Sequence, residues 1–446
     1  MRIANSFAKL GGWLEGFTVE VFAPILRSEW IEEALKQTGR EGQRDRKLTA
    51  PFTLWLIVGM AMYRHLSIQN VVSRLGTVLG VGSVWADQGE PTSGSVVEAR
   101  DRLGFGPLQQ IVERFRGWIL QTYQKAMSWK GLTLLAIDGT TFKVPDSAEN
   151  RRRFGLPSAS RGRAAFPQMR AVFVMSAKLH LILGAAFAPY RRDENQLAMR
   201  LLGTVPKGAL VLLDRHFNGW QVLLGIRYSG SHFLIRATDR KLRGRWLAVL
   251  GSGDSLIEIA LPPALRRRFT DFPKTVLLRE ITARIKGKPY RFLTSLLEPS
   301  TYPAAELVTL YHQRWEEEIA LDEIKTHQCA ATTVNRPVIF RCQTTRRVLQ
   351  EAYGLVVAYN LVRVLMADAA DHAGVEAVRI SFVDSLERIR SAALLMAAAP
   401  TDALPRIFDD LMIQMGHRVL PNRRPRDNPR EVCVKMSKYP LKRKLA

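Results

Sequence analysis

The segment YHQRWEEEIALDEIK sets four chemically distinct side chains at fixed intervals: Tyr311, then Arg314, Glu318 and Lys325 at offsets of 3, 7 and 14. At about 100° per residue these four fall within roughly 60° of one another on a helix. One stripe therefore carries a phenol, a guanidinium, a carboxylate and an ammonium. The segment's other acids are Glu316, Glu317, Asp322 and Glu323, and only Asp322 lies beside that stripe. The plainer reading is a solvated face with Arg314 and Glu318 as an ordinary i,i+4 pair. It accounts for the charges but not for their alignment with an aromatic ring beside Trp315.

Two further carboxylates share one design. Asp138 follows LLAI and Asp214 follows LVLL. Each closes a short apolar run that reads as a buried strand, Leu132 to Ile137 and Ala209 to Leu213. In α/β folds the C-terminal ends of strands open into the crevice where ligands sit. A carboxylate delivered there costs stability unless a metal ion or a charged partner neutralises it. Taken singly, each is equally a turn or cap aspartate, and Asp138-Gly139 is a common turn pair.

The elements that must position these groups change texture along the chain. Residues 1 to about 125 read as helical. Glu29 to Gln37 has helix-forming composition, Pro51 to Tyr63 is an apolar helix opened by proline, and Ser95 to Leu103 and Leu108 to Lys125 follow. Asn150 to Arg170 reads as a basic loop, with Arg151, Arg152, Arg153, Arg161, Arg163 and Arg170 among Gly, Ser and Pro. Met169 to Met175 and His180 to Phe187 form a strand pair, and Glu194 to Leu202 a helix. Phe233 to Tyr290 alternates strand-like pieces with Gly and Pro breaks. Ala304 to Lys325 reads as one strong helix behind Pro303, and Arg347 to Asp368 as a long apolar one. From Pro421 the chain is rich in Arg, Lys and Pro and reads as irregular.

Composition narrows the partner. Lys plus Arg number 65 against 41 Asp plus Glu, a formal net charge of +24 in 446 residues. Such a surplus draws polyanions through their phosphates; an acidic membrane surface is the other candidate. Cys329, Cys342 and Cys433 are too few for a disulfide framework and fit a reducing compartment. His327 stands close to Cys329, but no second pair completes a zinc pattern. The N-terminus lacks a long apolar signal region. No uninterrupted apolar stretch approaches the ~20 residues of a membrane span.

Tyr311-x2-Arg314-x3-Glu318-x6-Lys325 resembles the signature of bacterial insertion-sequence transposases of the DDE class, in the insertion element four family. Asp138 in LLAIDGTTFKVPDSAEN and Asp214 in LVLLDRHFNG match that family's first two acidic motifs, in the right order. The N-terminal pieces EALKQTG and LWLIVGMAMYR, and the tail PREVCVKMSKYPLKRK, are similar to the family's two ends, so the likeness spans nearly the whole chain.

The resemblance implies an α/β fold: a ribonuclease-H-like catalytic core with a β-rich insertion, a helical N-terminal domain and a helical, basic C-terminal region. The corresponding bounds are 1–125 for the DNA-binding domain, 126–375 for the catalytic domain with the insertion at about 229–300, and 376–446 for the tail. It implies that Asp138, Asp214 and Glu318 are catalytic and hold two Mg²⁺ or Mn²⁺ ions. Such ions, roughly 3.5–4 Å apart, activate a water and stabilise the leaving 3′ oxygen in phosphodiester cleavage. Arg314 and Lys325 would hold DNA phosphates, and Tyr311 would add a phosphate hydrogen bond. In relatives that excise through a hairpin, an aromatic ring supports a flipped base; the matching piece, KPYRFLTSLL, puts Tyr290 there, an ordinary half-buried strand residue being the alternative. The implied partners are double-stranded DNA, as element ends and target, and a second copy of the chain, with no membrane. Ser381 to Ala398, with Leu386, Ile389, Leu394 and Leu395, is the candidate assembly helix, core packing being the alternative. The implied place is the bacterial cytoplasm, at the nucleoid. Two other readings stay open: a ribonuclease-H-like nuclease without strand transfer, and a non-catalytic repressor derived from a transposase. The presence of all three carboxylates speaks against the second.

Overall fold

The computed structural model describes residues 19–42, 47–82, 85, 89–159, 162–237, 242–285, 287–312, 314–328 and 340–421. Its first part is helical, with helices Ser28–Gln37, Ala50–Met62, Ile68–Val78, Ser93–Leu103 and Gly106–Tyr123. Thr49 caps the second of these by accepting a hydrogen bond from the Phe52 amide, with Pro51 in the first turn. This helix is apolar on every side, and almost every residue in it is buried, as such a sequence requires.

Twelve strands are described: β1 (Ser128–Trp129), β2 (Leu132–Lys143), β3 (Ser158–Ala159), β4 (Gly162–Arg163), β5 (Gln168–Ser176), β6 (Ile182–Pro189), β7 (Ala209–Leu213), β8 (His232–Ala237), β9 (Arg245–Gly251), β10 (Asp254–Ala260), β11 (Thr275–Ile285) and β12 (Lys288–Thr294). Ten of them form one sheet in the order β6-β5-β2-β7-β8-β12-β11-β10-β9, with β1 beside β2. β2 runs antiparallel to β5, and β5 to β6. β2 runs parallel to β7, and β7 to β8. A central first strand with an antiparallel pair on one side and a parallel pair on the other is the strand order of a ribonuclease-H-like core. The fold is therefore the one the sequence resemblance implies.

β2 sorts its side chains by alternation. Leu135 and Ile137 join a large apolar core that runs from Val19 to Met415, so N-terminal helices, sheet and C-terminal helices share one interior. Leu134 and Ala136 face a second, smaller core with Leu210, Leu212, Leu307, Leu310 and Tyr311.

Four sequence expectations change. First, β8 lies inside the stretch assigned to the insertion, yet it is the fifth strand of the core, with Phe233, Leu234 and Ile235 buried. Strands β9 to β12 then extend the same sheet rather than standing apart. Second, the basic stretch after Asn150 is not all loop: Ala148–Phe154 is a short helix, capped by Ser147, that exposes Arg151, Arg152 and Arg153. Third, the expected helix over Ala304 to Lys325 is three pieces. Helices Ala304–His312 and Trp315–Asp322 are followed by a wider π-helical turn, Glu323–Gln328. Fourth, the assembly candidate is helix Phe382–Ala398, but its Leu386 and Ile389 are buried in the large core; Leu394 is half-buried, and of the four leucine and isoleucine positions only Leu395, 58% exposed, faces out.

The apolar helix Thr345–Ala373 is long enough to cross a membrane by length and composition, but 94% of its most apolar window is buried inside the fold. It is the central helix of the large core. Cys342 is buried as a free thiol. Cys329, Cys433 and the basic tail beyond Pro421 lie outside the described residues.

Candidate active site

β2 and β7 pair in parallel register from Thr133↔Ala209 to Ile137↔Leu213. The next residue on each is Asp138 and Asp214, so the two carboxylates stand side by side where β7 ends. By alternation both follow Ala136 and Leu212 onto the face of the smaller core. Asp138 does not close its strand as the sequence leads one to expect: β2 continues along β5 to Lys143, while β7 ends at Leu213 and breaks into the 3₁₀ turn Arg215–Phe217. Asp214 caps that turn: its Oδ1 accepts from the Arg215 amide at 2.7 Å, and its Oδ2 lies 2.9 Å from His216 Nδ1. Asp138 Oδ1 accepts from the Gly139 amide at 2.7 Å.

These settings push the two acids apart. Burial, with the nearby charges of Asp214 and Glu194, raises Asp138 to about 6 against the opposing effects of the Gly139 amide and Arg314. Asp214 meets a burial penalty too, but His216, Arg314 and the Arg215 amide outweigh it and hold Asp214 below its usual range. A pair of adjacent carboxylates, one of them reluctant to ionise, has the donor chemistry of a hard cation site.

Asp138 therefore weakens the metal-free fold. Its folded pKa lies above the unfolded value, so stability falls as pH rises from about 3.8 to about 6 and stays reduced above that. Asp138→Asn should stabilise the metal-free chain at pH 7.5 by up to ~3 kcal/mol, at 1.36 kcal/mol per pKa unit. Thermal melts in chelator should show the gain, and it should shrink toward pH 4.5. A variant that melts below the parent at pH 7.5 would contradict this account of the site.

The broken helical segment brings in the other predicted groups. The Tyr311 hydroxyl donates to the Leu213 carbonyl at 3.0 Å, and its ring packs on Phe292 at 4.9 Å between centroids. The family resemblance implies a DNA phosphate as the partner of this phenol; here it holds the strand end that presents Asp214. Arg314 is buried, and its charge acts on both Asp138 and Asp214. Its Nη2 also lies 3.6 Å from Glu318 Oε1, whose side chain is 43% exposed. Lys325 Nζ donates to Thr140 Oγ1 at 2.9 Å, two residues beyond Asp138 on the same strand face. Arg314 thus links the two aspartates to Glu318, and Lys325 closes the Asp138 side. Among the described residues no three His, Cys, Asp or Glu side chains are gathered as a complete metal shell. Asp322 is exposed and engaged by Thr326 and His327.

Tyr290 lies half-buried on β12, parallel to Phe292 and with the Arg236 guanidinium 4.4 Å above its ring. Arg236 follows Ile235, the partner of Leu213, so it occupies the next place in the row after Asp138 and Asp214. Neither Arg236 nor Glu194 was legible as a site residue. Glu194 sits in the first turn of helix Glu194–Leu201, ion-paired with Arg170. Gly139 leaves room for it: a Cβ there would lie 2.9 Å from Glu194 Cδ. The Asp193-Glu194 pair at a helix start was the one local signal.

Comparison with known proteins shows similarity over most of the chain. Residues 17–113 match the model of the insertion element 4 transposase N-terminal family, and residues 129–361 match the transposase DDE domain. The transposase InsG of insertion sequence element IS4, from Escherichia coli K12, is 31% identical over 93% of this chain and 92% of its own length. The putative transposase InsZ of the same organism is 32% identical over 64% of this chain and 91% of its own. Among solved structures, a cryo-EM piggyBac transposase synaptic complex with hairpin DNA aligns over 92% of this chain and 87% of that chain, with a TM-score of 0.43 and 11% identity. DDE transposase domains bind DNA and work with divalent metal ions. With Asp138 inside β2 and Asp214 just beyond β7 standing side by side in a ribonuclease-H-like sheet, and similarity over 93% of its length to an IS4 transposase, the chain belongs to the insertion element 4 family of DDE transposases.

Proposed function

We propose that Asp138, Asp214 and Glu318 are the catalytic carboxylates of this transposase and hold two Mg²⁺ or Mn²⁺ ions. The observation that carries the reading is the parallel pairing of Ile137 with Leu213, which sets the two aspartates abreast. Arg314 supports the choice of Glu318 as third member, because its charge acts on all three acids. Asp322, turned to Thr326 and His327, is the poorer candidate.

When bound, the metal pair supplies a water nucleophile and neutralises the leaving oxygen. The chain's own residues do the rest. Asp138 and Asp214 would hold the metal ions from adjacent places on the central strands β2 and β7. Arg314, a planar fork already buried among the acids, and Lys325, a point charge beside Asp138, hold neighbouring DNA phosphates. Tyr311 keeps the Asp214 strand end in place. Tyr290, as a platform for a flipped base, requires Arg236 to leave its ring, and an Arg so displaced is well placed to meet a phosphate. The units of function are 1–125 for DNA recognition and 126–375 for catalysis, followed by the helical and basic C-terminal region 376–446. Two element ends must be joined together, so the working complex contains at least two chains.

The test uses linear DNA ending in the element's terminal inverted repeats. Incubation with Mg²⁺ or Mn²⁺ should give nicked and double-cut ends on a denaturing gel, and joined products in a target plasmid; chelator should stop both. Nicking without joining would favour a nuclease. End binding without nicking in either metal would favour a repressor and sink the catalytic reading.

A further inference from the structure

The helical segment that carries Glu318 is tied to the core by a buried charge, not by apolar packing alone. Glu323 opens the wide turn five residues after Glu318. Five residues at about 100° each is roughly 140° round a helix, so Glu323 faces away from the site and inward. It is 5% exposed. There it accepts the Tyr359 hydroxyl hydrogen bond at 2.8 Å. Arg363 Nη1 lies 3.6 Å from its Oε1, and His180 Nδ1 3.6 Å from its Oε2. Tyr359 and Arg363 are one turn apart on the central helix Thr345–Ala373, and both are fully buried.

The network reaches a third element. Arg363 donates from Nε and Nη2 to the Leu179 carbonyl at 3.0 and 2.9 Å. Asn360, between Tyr359 and Arg363, exchanges two hydrogen bonds with the Ile182 backbone at 2.8 and 2.9 Å. The Glu318-bearing segment, the central helix and the β5–β6 turn are thus joined through polar contacts. Gln328, closing the wide turn, donates to the Leu355 carbonyl on the same central helix at 3.2 Å.

Cohesion does not explain this arrangement. A buried ion pair adds little net stability, and apolar residues of similar volume serve as well or better. What it adds is direction. Apolar contacts tolerate a helix that slides or turns; a carboxylate held by a phenol and a guanidinium does not. Glu323 is held firmly ionised: burial alone would raise its pKa, but Arg363, His180 and Tyr359 outweigh it and bring it to about 2. Two residues on, Lys325 must reach Thr140 on the other side. An inward anchor and an outward one so close together account for the widened turn, a distortion that is frequent at functional sites.

We propose that Glu323 is a positioning residue of the active site: through Tyr359, Arg363 and His180 it sets the rotation and height of the segment that presents Glu318 and Lys325. This rests on the catalytic reading of Glu318.

The test compares full-length Glu323→Gln, Tyr359→Phe and Glu318→Gln. Three quantities are read: end-DNA affinity in chelator, Mn²⁺ affinity by electron paramagnetic resonance, and single-turnover nicking at saturating DNA. Glu323→Gln should bind ends within about twofold of the parent, and lose roughly 10–100-fold in Mn²⁺ affinity and nicking, the scale typical of residues that orient metal ligands. Excess Mn²⁺ should restore part of that nicking, and none in Glu318→Gln. Tyr359→Phe, which deletes one hydrogen bond and keeps the ion pair, should show the same pattern at a smaller size. It carries the test should Glu323→Gln not fold. Folded variants that bind Mn²⁺ and nick like the parent, beside an inactive Glu318→Gln, would overturn the positioning role alone. Normal nicking by Glu318→Gln would overturn the catalytic assignment and this proposal with it.

Discussion

Asp138→Asn, Asp214→Asn and Glu318→Gln are each expected to lower strand cleavage by ~10³-fold or more, the scale on which an essential member of a catalytic unit acts. Each change preserves size and packing and deletes one carboxylate charge. End binding should stay near that of the parent, because phosphate contacts come from Arg and Lys. The side effects differ, and they serve as a check on the geometry. Asp138→Asn relieves a carboxylate that burial and Asp214 hold near 6, so it should stabilise the metal-free chain. Asp214→Asn gives up the favourable pairing with His216 and with Arg314, and should not stabilise it. The Glu318 side chain is 43% exposed, where an ion pair with Arg314 contributes little, so Glu318→Gln should leave the melt nearly unchanged. The measurement is nicking of end DNA in Mg²⁺ and in Mn²⁺, with melts run alongside. A Glu318→Gln variant that cuts at the parent rate would remove Glu318 from the triad, and Asp322 would be the next acid to test.

What could be read from the sequence follows from how local each signal is. The runs LLAI and LVLL lie in strands because an uninterrupted apolar run fits a strand buried on both faces; β7 ends with its run, but β2 goes on six residues past Ile137, where pairing with β5 and not apolar burial carries it. That they are neighbours is tertiary: Asp138 and Asp214 lie far apart in the chain, and the family resemblance, not the residues alone, joined them. β8 was absorbed into the insertion because its strand-like composition resembles that of β10 or β11; only pairing with β7 separates it. The charge stripe over Tyr311, Arg314, Glu318 and Lys325 was legible, but the single regular helix drawn from it was not the outcome. Tyr311 is fixed to a strand end, Glu323 to the central helix and Lys325 to Thr140, and these three anchors break the helical segment. Arg236 and Glu194 could not be found beforehand, because their partners Tyr290 and Asp138 are close only in the folded chain.

The second large effect expected is in salt. End binding should weaken by ~10³-fold or more between 50 and 200 mM salt, as for a protein that neutralises six or more phosphates. The formal charge of +24 supplies the surplus, and the fold shows where part of it is displayed. Arg152 and Arg153 project from helix Ala148–Phe154, Arg267 and Arg268 from helix Pro263–Arg268, and all four are exposed. Arg314 is different in kind, since it is buried against Asp138, Asp214 and Glu318. The two classes should separate in one experiment. Arg152→Ala with Arg153→Ala should lower the slope of log affinity against log salt by about 2, and leave nicking at saturating DNA near the parent rate. Arg314→Ala should change the slope by about 1 at most and lose nicking, because its removal leaves two adjacent carboxylates without the guanidinium that now moderates their repulsion. Fluorescence anisotropy over a salt series and a saturating-DNA nicking assay read both effects. A slope near zero for the parent would remove nucleic acid as the main partner of this basic surface. A normal rate for Arg314→Ala would show that its charge is not needed among the three acids.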